Sequence, residues 1–269
     1  MALSISLAKN LYMQVNNQKS VTVSVVSHGH SGLVRSMIDS LAASGGPWVS
    51  RVVITSNAPS LDDFPVVPRD GLRFDVKRID NAQARGFGAN HNQAFKQCDT
   101  EFFCVINPDI EFTSDPFAHL VEALSAADVG LVYPSQVDGE NALLDFEREL
   151  VSPFAIAQRH LLGQRYQPQP HKPVHWVSGA FMVFKSSVFR ELGGFDERYF
   201  MYCEDVDICL RMQLAGYSLA HADAKVIHHT RRNTLKSPGH LAWHVRSLLR
   251  LWSSASYQEY RRKFVDQRR

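Results

Sequence analysis

The run Phe102–Ile106 contains five apolar residues with no polar interruption, and it constrains the fold more than any other segment. A strand with one face in water alternates polar and apolar residues, whereas a parallel strand covered on both faces is apolar throughout. Val21–Val26 and Val52–Ile54 are shorter runs rich in β-branched residues. Segments with helical spacing, such as Leu33–Ala43, lie between such runs. Strands that alternate with helices in this rhythm predict an open α/β sheet.

Polar residues follow three of the predicted strands at the point where each strand ends. They are Ser27-His28, Ser56-Asn57 and Asn107 with Asp109. Because the carboxyl ends of parallel strands meet at one edge of a sheet, ligands of open α/β proteins bind beyond that edge. The sequence therefore predicts a binding crevice there.

An acidic cluster lies within an apolar stretch near residue 205. Glu204, Asp205 and Asp207 fall within four positions, and their neighbours include Phe, Met, Tyr, Ile and Leu. Burying an ionised carboxylate costs several kcal/mol, as a rough figure, unless a partner compensates. On a helix, Glu204 and Asp207 point one way and Asp205 points another. A helix N-terminus needs one acid rather than three, so the cluster favours a functional site.

Length and composition exclude several classes of protein. A chain of 269 residues is long enough for one large α/β domain or two small ones. The formal net charge of +2 gives no indication of a nucleic-acid partner, and no apolar stretch approaches the roughly 18–20 residues of a membrane span. The four cysteines form no CxxC pair, and the first 20 residues lack the pattern of a signal peptide. We therefore expect reduced cysteines and a cytoplasmic protein.

The C-terminal segment is basic. Residues 231–269 contain ten Lys or Arg and two acids, a charge of +8, which leaves −6 for the rest of a chain whose total is +2. Leu241, Val245, Leu248, Leu249 and Trp252 follow helical spacing, with Arg246 and Arg250 nearby. One interpretation is peripheral contact with the anionic inner face of the cell membrane, and the other is packing of this helix on its own domain.

Four blocks in order resemble the inverting glycosyltransferases of family 2, and most closely the rhamnosyltransferase-like branch of bacterial polysaccharide and lipopolysaccharide biosynthesis. The blocks are 81–92, 105–109, 174–182 and 193–211. The resemblance spans about Val21 to Thr234 and implies the GT-A fold. This fold is a Rossmann-like nucleotide-diphospho-sugar transferase architecture, with an open mixed, mostly parallel sheet and flanking helices. It divides the chain into an N-terminal lead-in (1–19), a GT-A domain (20–234) and a basic C-terminal helical extension (235–269).

The resemblance implies that a sugar, such as rhamnose or another hexose, moves from a nucleoside diphosphate sugar to a saccharide or lipid-linked saccharide acceptor. The expected reaction is a metal-assisted single displacement in which Asp205 is the base and Glu204 orients the acceptor. Asp109 and one of two strand-end histidines, with His228 preferred and His229 left open, would hold Mn²⁺ or Mg²⁺. Asp207 is expected to pair with Arg211, four residues along the same helix face.

The remaining expected site residues fall into two groups. Those assigned to the nucleotide sugar are Ser27, His28, Ser56, Asn57, Arg85, Gly86, Asn90 and Asn107. Those assigned to the acceptor are Trp176, Gly179, Ala180 and Glu204. Gly86 and Gly88 would permit close backbone approach or a positive φ beside the nucleotide. The loop 138–173 is expected to shape the acceptor side.

Two positions depart from the family pattern. Members usually carry an acid where this chain has Ser56, and a Thr-Tyr-Asn type of sequence where it has Ser27-His28-Gly29. Both changes fall in the expected nucleotide pocket. They leave open an altered donor, and as an alternative function a catalytically degenerate relative that binds a saccharide or nucleotide without turnover. A nucleotidyltransferase is disfavoured, because Ser27–Gly32 lacks the basic residues of such a loop.

Overall fold

A computed structural model gives the structure of the chain over residues 21–44, 46–61, 71–150, 152–153, 173–230 and 238–266. The predicted lead-in (1–19), most of the loop 138–173 beyond residue 153, and the predicted domain boundary at 234/235 lie outside these residues.

The described residues form ten strands. They are β1 Val21–Ser27, β2 Val49–Ser56, β3 Asp75–Asp80, β4 Phe102–Ile106, β5 Ile110–Glu111, β6 Val129–Val137, β7 Glu147–Arg148, β8 Trp176–Val177, β9 Phe181–Lys185 and β10 Ser218–His228. Eight of them form one sheet in the order β3-β2-β1-β4-β9-β6-β10-β5, and β7 pairs separately with β8.

The same residues form seven α-helices. They are α1 Ser31–Ser44, α2 Phe87–Phe95, α3 Phe117–Ala123, α4 Ser186–Glu191, α5 Glu204–Leu214, α6 Pro238–Ser253 and α7 Ala255–Tyr260. A short 3₁₀ turn spans Pro59–Leu61, and a π-helical turn over Arg261–Val265 follows α7.

The large sheet is mixed and mostly parallel. β3, β2, β1 and β4 run parallel, as do β6 and β10. β9 is antiparallel to both of its neighbours, and the two-residue β5 is antiparallel to β10. The predicted open, mixed α/β sheet with flanking helices is confirmed. The antiparallel insertion of β9 between β4 and β6 was not predicted, because the apolar run Phe181–Phe184 has the same composition as a parallel strand.

The sheet separates two hydrophobic clusters, because successive side chains of a strand point to opposite faces. Cys104 and Ile106 of β4 belong to one cluster, and Phe103 and Val105 belong to the other. The first cluster is covered by α1, whose buried residues Val34, Met37, Ile38 and Leu41 follow the i, i+3, i+4, i+7 pattern. Fully burying one such side chain contributes roughly 1.5–3 kcal/mol. The predicted helix over Leu33–Ala43 forms for this reason.

The C-terminal helices cover the second cluster with one face only. Leu248 and Leu251 of α6 are buried there, together with Tyr257 and Tyr260 of α7. The expected packing of this segment on its own domain is therefore observed. The opposite face of α6 is exposed and apolar. Among the described residues, none of the helices has both the length and the apolar character that crossing a membrane requires.

Candidate active site

The polar strand ends lie on one edge of the sheet, as predicted. β1 ends at Ser27 and β2 at Ser56, and the two serines are register partners in parallel strands. The backbone N–H of Asn57 donates to the carbonyl of Ser27 at 2.8 Å, and that of Asn81 donates to the carbonyl of Ser56 at 3.0 Å. His28 is exposed at the same edge, while both serines are buried.

Three buried asparagines form a hydrogen-bonded network at this edge. The side-chain amide of Asn81 donates to Asn57 Oδ1 at 2.9 Å and to Asn90 Oδ1 at 2.6 Å. The amides of Asn57 and Asn90 both donate to the carbonyl of Arg85, at 2.9 and 3.2 Å. The network fixes the turn before α2. Asn81 was not assigned to the site from the sequence, although it directly follows β3 as Asn57 follows β2.

The Arg85 side chain points away from this network. Its guanidinium donates to Gln93 Oε1 at 2.8 Å and pairs with Glu197 at 3.1 Å. The backbone N–H of Arg85 donates to Asn57 Oδ1 at 2.7 Å. Among the described residues, Arg85 therefore joins the network through its backbone, and its guanidinium group pairs with the carboxylate of Glu197.

Gly86 and Gly88 allow close packing of α2 against the chain that precedes α5. Gly86 has φ −64°, so it does not need the left-handed region. A Cβ at Gly86 would lie 2.7 Å from the carbonyl oxygen of Phe200, and one at Gly88 would lie 2.6 Å from Cβ of Phe195. The expected close approach is observed. Among the described residues, Gly86 approaches the backbone of Phe200, and Gly88 approaches the side chain of Phe195.

Asp109 and His228 meet where β10 pairs with β5. Asp109 Oδ1 and His228 Nε2 are 3.3 Å apart, and both side chains are mostly buried. His228 Nδ1 is 2.9 Å from Gln136 Oε1, an atom that only accepts hydrogen bonds. In the neutral ring Nδ1 therefore carries the proton, and the lone pair of Nε2 faces the carboxylate.

This arrangement fits a divalent cation. Asp109 Oδ1 is buried and has no hydrogen-bond partner among the described residues. A carboxylate oxygen and an imidazole lone pair that face each other need a cation between them or a proton. No cluster of three or more His, Cys, Asp or Glu ligands occurs in the described part of the chain. Within the described residues the donor set is thus one carboxylate and one imidazole, and substrate phosphates would complete it.

His229 takes a different position. Its Nε2 is 2.7 Å from Glu111 Oε2, and both side chains are about half exposed. Its backbone N–H donates to the carbonyl of Asp109 at 2.9 Å, which holds the turn of Asp109 against β10. The neighbouring histidine is therefore a suitable control for His228.

The acidic cluster begins helix α5. Tyr202 and Cys203 precede it with φ values of 72° and 66°, in the left-handed region that non-glycine residues seldom adopt. Glu204 is only 5% exposed, and its Oε2 has no hydrogen-bond partner among the described residues. Asp205 accepts the backbone N–H of Gly179 at 3.1 Å through Oδ2 and that of Val206 at 2.9 Å through Oδ1.

The two adjacent carboxyl groups have different electrostatic environments. Burial, together with the charge of Asp205, raises the pKa of Glu204 to about 8. Burial also raises the pKa of Asp205, but two backbone N–H groups and the positive charge of Arg148 oppose that rise. Glu204 is therefore the carboxyl group that favours the protonated form near neutral pH.

Asp207 has a structural role, as the sequence predicted. Its Oδ2 pairs with Arg211 at 2.7 Å, and its Oδ1 accepts the hydroxyl of Ser256 at 2.8 Å. Arg211 also donates to the carbonyls of Leu192 and Gly194 at 2.7 and 2.8 Å. The pair joins α5 to α7 and to the loop after α4.

A short segment before β9 connects the two acidic centres. The N–H of Asn107, two residues before Asp109, donates to the carbonyl of Ala180 at 2.9 Å. The preceding residue, Gly179, donates to Asp205. Asp109 and Asp205 are therefore connected through Asn107, Ala180 and Gly179, although they are far apart in the sequence.

Other residues near Asp205 were found only in the structure. The Arg148 guanidinium lies 5.0 Å from the ring centroid of Trp176 and affects the pKa of both Asp205 and His244. Trp176 is 6% exposed, and its indole N–H donates to the carbonyl of Glu149 at 2.8 Å. Burial lowers the pKa of His244, on α6. Helix α6 therefore lies close to the acidic centre.

Residues 112–261 match the family described as glycosyl transferase family group 2. The chain is 25% identical over 251 residues to the rhamnosyltransferase WbbL of Escherichia coli (strain K12), across 86% of this chain and 91% of that protein. It is 32% identical over 164 residues to an N-acetylglucosaminyl-diphospho-decaprenol L-rhamnosyltransferase of Mycobacterium tuberculosis. That match covers 55% of this chain and 53% of the relative, about half of its length.

Two solved structures have a similar fold. The mannosyltransferase PcManGT from Pyrobaculum calidifontis, in complex with GDP-Man and Mn²⁺, gives a TM-score of 0.58 at 18% identity, over 86% of this chain and 64% of that one. GalNAc-T7 with UDP, GalNAc and Mn²⁺ gives 0.61 at 16% identity, over 91% of this chain and 50% of that one. At these identities the likeness shows the fold alone, which is GT-A.

Proposed function

Because the chain belongs to glycosyl transferase family group 2 and is a glycosyltransferase, we propose that it transfers rhamnose or another hexose with inversion at the anomeric carbon. The donor is a nucleoside diphosphate sugar, and the acceptor is a saccharide or lipid-linked saccharide. The observation that supports the mechanism most directly is the hydrogen-bonded connection between the Asp109–His228 pair and Asp205, through Asn107, Ala180 and Gly179.

Asp205 is the proposed catalytic base. In a single displacement the acceptor hydroxyl attacks the anomeric carbon while the nucleoside diphosphate leaves from the opposite face. A sugar hydroxyl is a weak nucleophile, so a positioned carboxylate that accepts its proton accelerates the step by about 10²–10⁴. The backbone N–H groups of Gly179 and Val206 hold this carboxylate in place.

Glu204 is the proposed acceptor-orienting group. Its Oε2 is buried and has no hydrogen-bond partner among the described residues. With a pKa of about 8, the group holds a proton at neutral pH and can donate a hydrogen bond to an acceptor oxygen. We place Gly179, Ala180 and Trp176 on the same side, because Gly179 contacts Asp205 and Trp176 contacts Arg148.

Asp109 and His228 are the proposed cation ligands. A bound divalent cation supplies positive charge that stabilises the departing diphosphate. Gln136 keeps the imidazole in the tautomer whose Nε2 can coordinate a metal. An imidazole ligand favours Mn²⁺ over Mg²⁺, and Mn²⁺ occurs in both solved structures described above.

The nucleotide is proposed to bind along the strand edge. Ser27, His28, Ser56, Asn57 and Asn107 all follow or end strands there. The hydroxyl of Ser56 would then take the position of the usual family acid, so that the nucleobase contacts a neutral group. Gly86, Asn90 and the backbone of Arg85 would support this edge through the turn that the asparagine network fixes.

Helix α6 is the proposed membrane contact. Leu241, Val245 and Leu249 lie one turn apart along the helix and are 50%, 50% and 60% exposed. Arg246 and Arg250 lie next to this stripe. An exposed apolar stripe beside arginines matches the surface of an anionic leaflet, where lipid-linked acceptors reside. At low salt, less of the Val245→Glu/Leu249→Glu variant than of the parent should sediment with anionic vesicles. Equal sedimentation of the two proteins would contradict the contact.

The reaction is tested with Asp205→Asn and with a matched control, Asp223→Asn, on the exposed side of β10. We expect kcat to fall about 10²–10⁴-fold for Asp205→Asn and to stay unchanged for Asp223→Asn, as measured by nucleoside diphosphate release. Proton NMR of the product should show the opposite anomeric configuration to the donor. Unchanged turnover of Asp205→Asn would refute its role, and retained configuration would refute single displacement. Calorimetric binding of nucleotide sugar without turnover, with either metal, would support the degenerate-relative alternative.

The cation ligands are tested with two adjacent substitutions. His228→Ala should raise the Mn²⁺ concentration for half-maximal activity by about tenfold or more, because a direct ligand is lost. His229→Ala should leave it within about twofold, since this ring contacts the exposed Glu111 instead. Equal effects of the two substitutions would contradict the assignment.

A further inference from the structure

A cleft of about 330 Å³ lies between helix α6 and the loop that precedes α5. Phe200 and Trp243 form one wall, with their ring centroids 4.9 Å apart. Arg198, Arg246 and Arg250 also line the cleft. None of the proposed donor, cation or base residues is among its lining groups.

The cleft has two positive charges that none of the described residues balances. Arg246 and Arg250 form no ion pair with the described residues, although they are one helical turn apart and repel each other. Arg198 is already paired with Asp196 through contacts of 2.6–2.9 Å. The carboxylate of Glu197, which also lines the cleft, faces Arg85 at 3.1 Å.

The guanidinium groups of Arg246 and Arg250, both on α6 and without an ion pair among the described residues, suit a ligand with two negative charges. Each guanidinium offers a planar fork of N–H donors that matches phosphate oxygens. A diphosphate spans adjacent phosphate groups and would contact both arginines. Its charge would also remove the repulsion between them.

The cleft is connected to the acidic centre and to the exposed apolar stripe. The hydroxyl of Ser247 donates to the carbonyl of Met201 at 2.8 Å, and the hydroxyl of Tyr202 is 2.8 Å from Nδ1 of His240. These contacts fix α6 against the residues that lead into Glu204. On the same helix, Leu241 and Val245 remain exposed and apolar.

We infer that this cleft binds the diphosphate of a lipid-linked saccharide acceptor, with Arg246 and Arg250 on its oxygens and the lipid chain along the apolar stripe. The inference rests on the proposed function and specifies the acceptor side of that site. The donor diphosphate belongs instead to the strand edge, where Asp109 and His228 would hold its cation.

Calorimetry tests the cleft without turnover. Farnesyl diphosphate is titrated into the full chain in a buffer with chelator, so that cation-dependent donor binding does not contribute, and farnesol is the uncharged probe. The double variant Arg246→Gln/Arg250→Gln should bind farnesyl diphosphate at least about tenfold more weakly. The control Arg262→Gln/Lys263→Gln removes two exposed charges outside the cleft and should bind like the parent. Equal affinity of both variants, or equal loss in both, would overturn the inference.

Vesicles distinguish the diphosphate from an ordinary lipid headgroup. Addition of a prenyl diphosphate to phosphatidylglycerol vesicles should strengthen the binding of the parent and of Arg262→Gln/Lys263→Gln, but not that of Arg246→Gln/Arg250→Gln. An equal gain for all three proteins, or no gain for the parent, would assign the cleft to general headgroups and overturn the inference.

Kinetics separates this inference from the proposed function. For Arg246→Gln/Arg250→Gln, the KM for a diphosphate-linked acceptor should rise at least about tenfold, while the KM for an alkyl glycoside acceptor and for the donor stays unchanged. An equal rise for both acceptors would overturn the inference. If the parent protein transfers no sugar to either acceptor, the proposed function fails, and the calorimetric result still decides what the cleft binds.

Discussion

Replacement of Glu204 by glutamine should change how the stability of the protein depends on pH. The folded protein keeps this carboxyl group protonated up to about pH 8, because the group is buried beside Asp205. In the unfolded chain the same group ionises near its ordinary pKa of about 4.3. A raised folded-state pKa of an acid means that unfolding releases a proton, so stability is lost as pH rises between these two values.

The magnitude follows from the two pKa values. Each pH unit between them removes about 1.4 kcal/mol from the free energy of unfolding. From pH 6 to pH 8 the folded group begins to ionise near the upper end, so we expect this residue to remove about 2 kcal/mol. In a domain of this size that corresponds to a change in Tm of about 5 °C. Glu204→Gln cannot ionise and should lack this loss.

Urea denaturation at pH 6 and pH 8 measures the effect. The quantity compared is the loss of unfolding free energy between the two pH values, so that any constant cost of the amide cancels. Glu259→Gln, an exposed substitution on α7, is the control and should show the pH dependence of the parent.

The reasoning is refuted if Glu204→Gln loses as much unfolding free energy between pH 6 and pH 8 as the parent does. Such a result would mean that the buried pair does not retain a proton on Glu204. The proposed hydrogen bond from this group to the acceptor would then have no basis.

As the pH is lowered, kcat/KM should begin to fall before pH 4 is reached, because burial raises the pKa of Asp205 and the base must be ionised. A profile of kcat/KM that stays flat down to pH 4 would contradict this prediction. Arg211→Met should lower the free energy of unfolding in urea by about 3 kcal/mol, because it leaves the buried Asp207 carboxylate without its cation. Arg261→Met removes an exposed ion pair and should lower it by less than about 1 kcal/mol. Similar losses in the two variants would contradict this prediction. Gly86→Ala should lower the free energy of unfolding by about 2 kcal/mol, because the added Cβ would lie 2.7 Å from a backbone oxygen. Gly32→Ala adds a Cβ in open space and should leave stability nearly unchanged. Equal shifts in Tm for the two variants would show that the contact at Gly86 relaxes.

Local sequence patterns were sufficient for much of the sheet. Apolar runs predicted β1, β2 and β4, because strands buried on both faces leave a signal that needs no partner to interpret. Helical spacing predicted α1 for a similar reason. The antiparallel β9 could not be predicted in this way, since strand direction depends on which neighbours it pairs with.

The candidate site divides in the same manner. Asp109 and the cluster around Asp205 were noticed from their own surroundings, as acids at a strand end and within an apolar stretch, and the family resemblance implied their roles. Gln136, Arg148 and His244 carry no such signal, because each acts on a residue that is distant in the sequence.

The sequence by itself determined the class of fold, the family and the residue types available for chemistry, because composition and spacing report burial and local geometry directly. Only the tertiary structure decided that His228 rather than His229 faces Asp109, and that Asp205 rather than Glu204 accepts the backbone N–H groups of Gly179 and Val206. Which of two neighbouring residues does the chemistry depends on distance, burial and hydrogen bonds, and these arise when remote segments of the chain pack together.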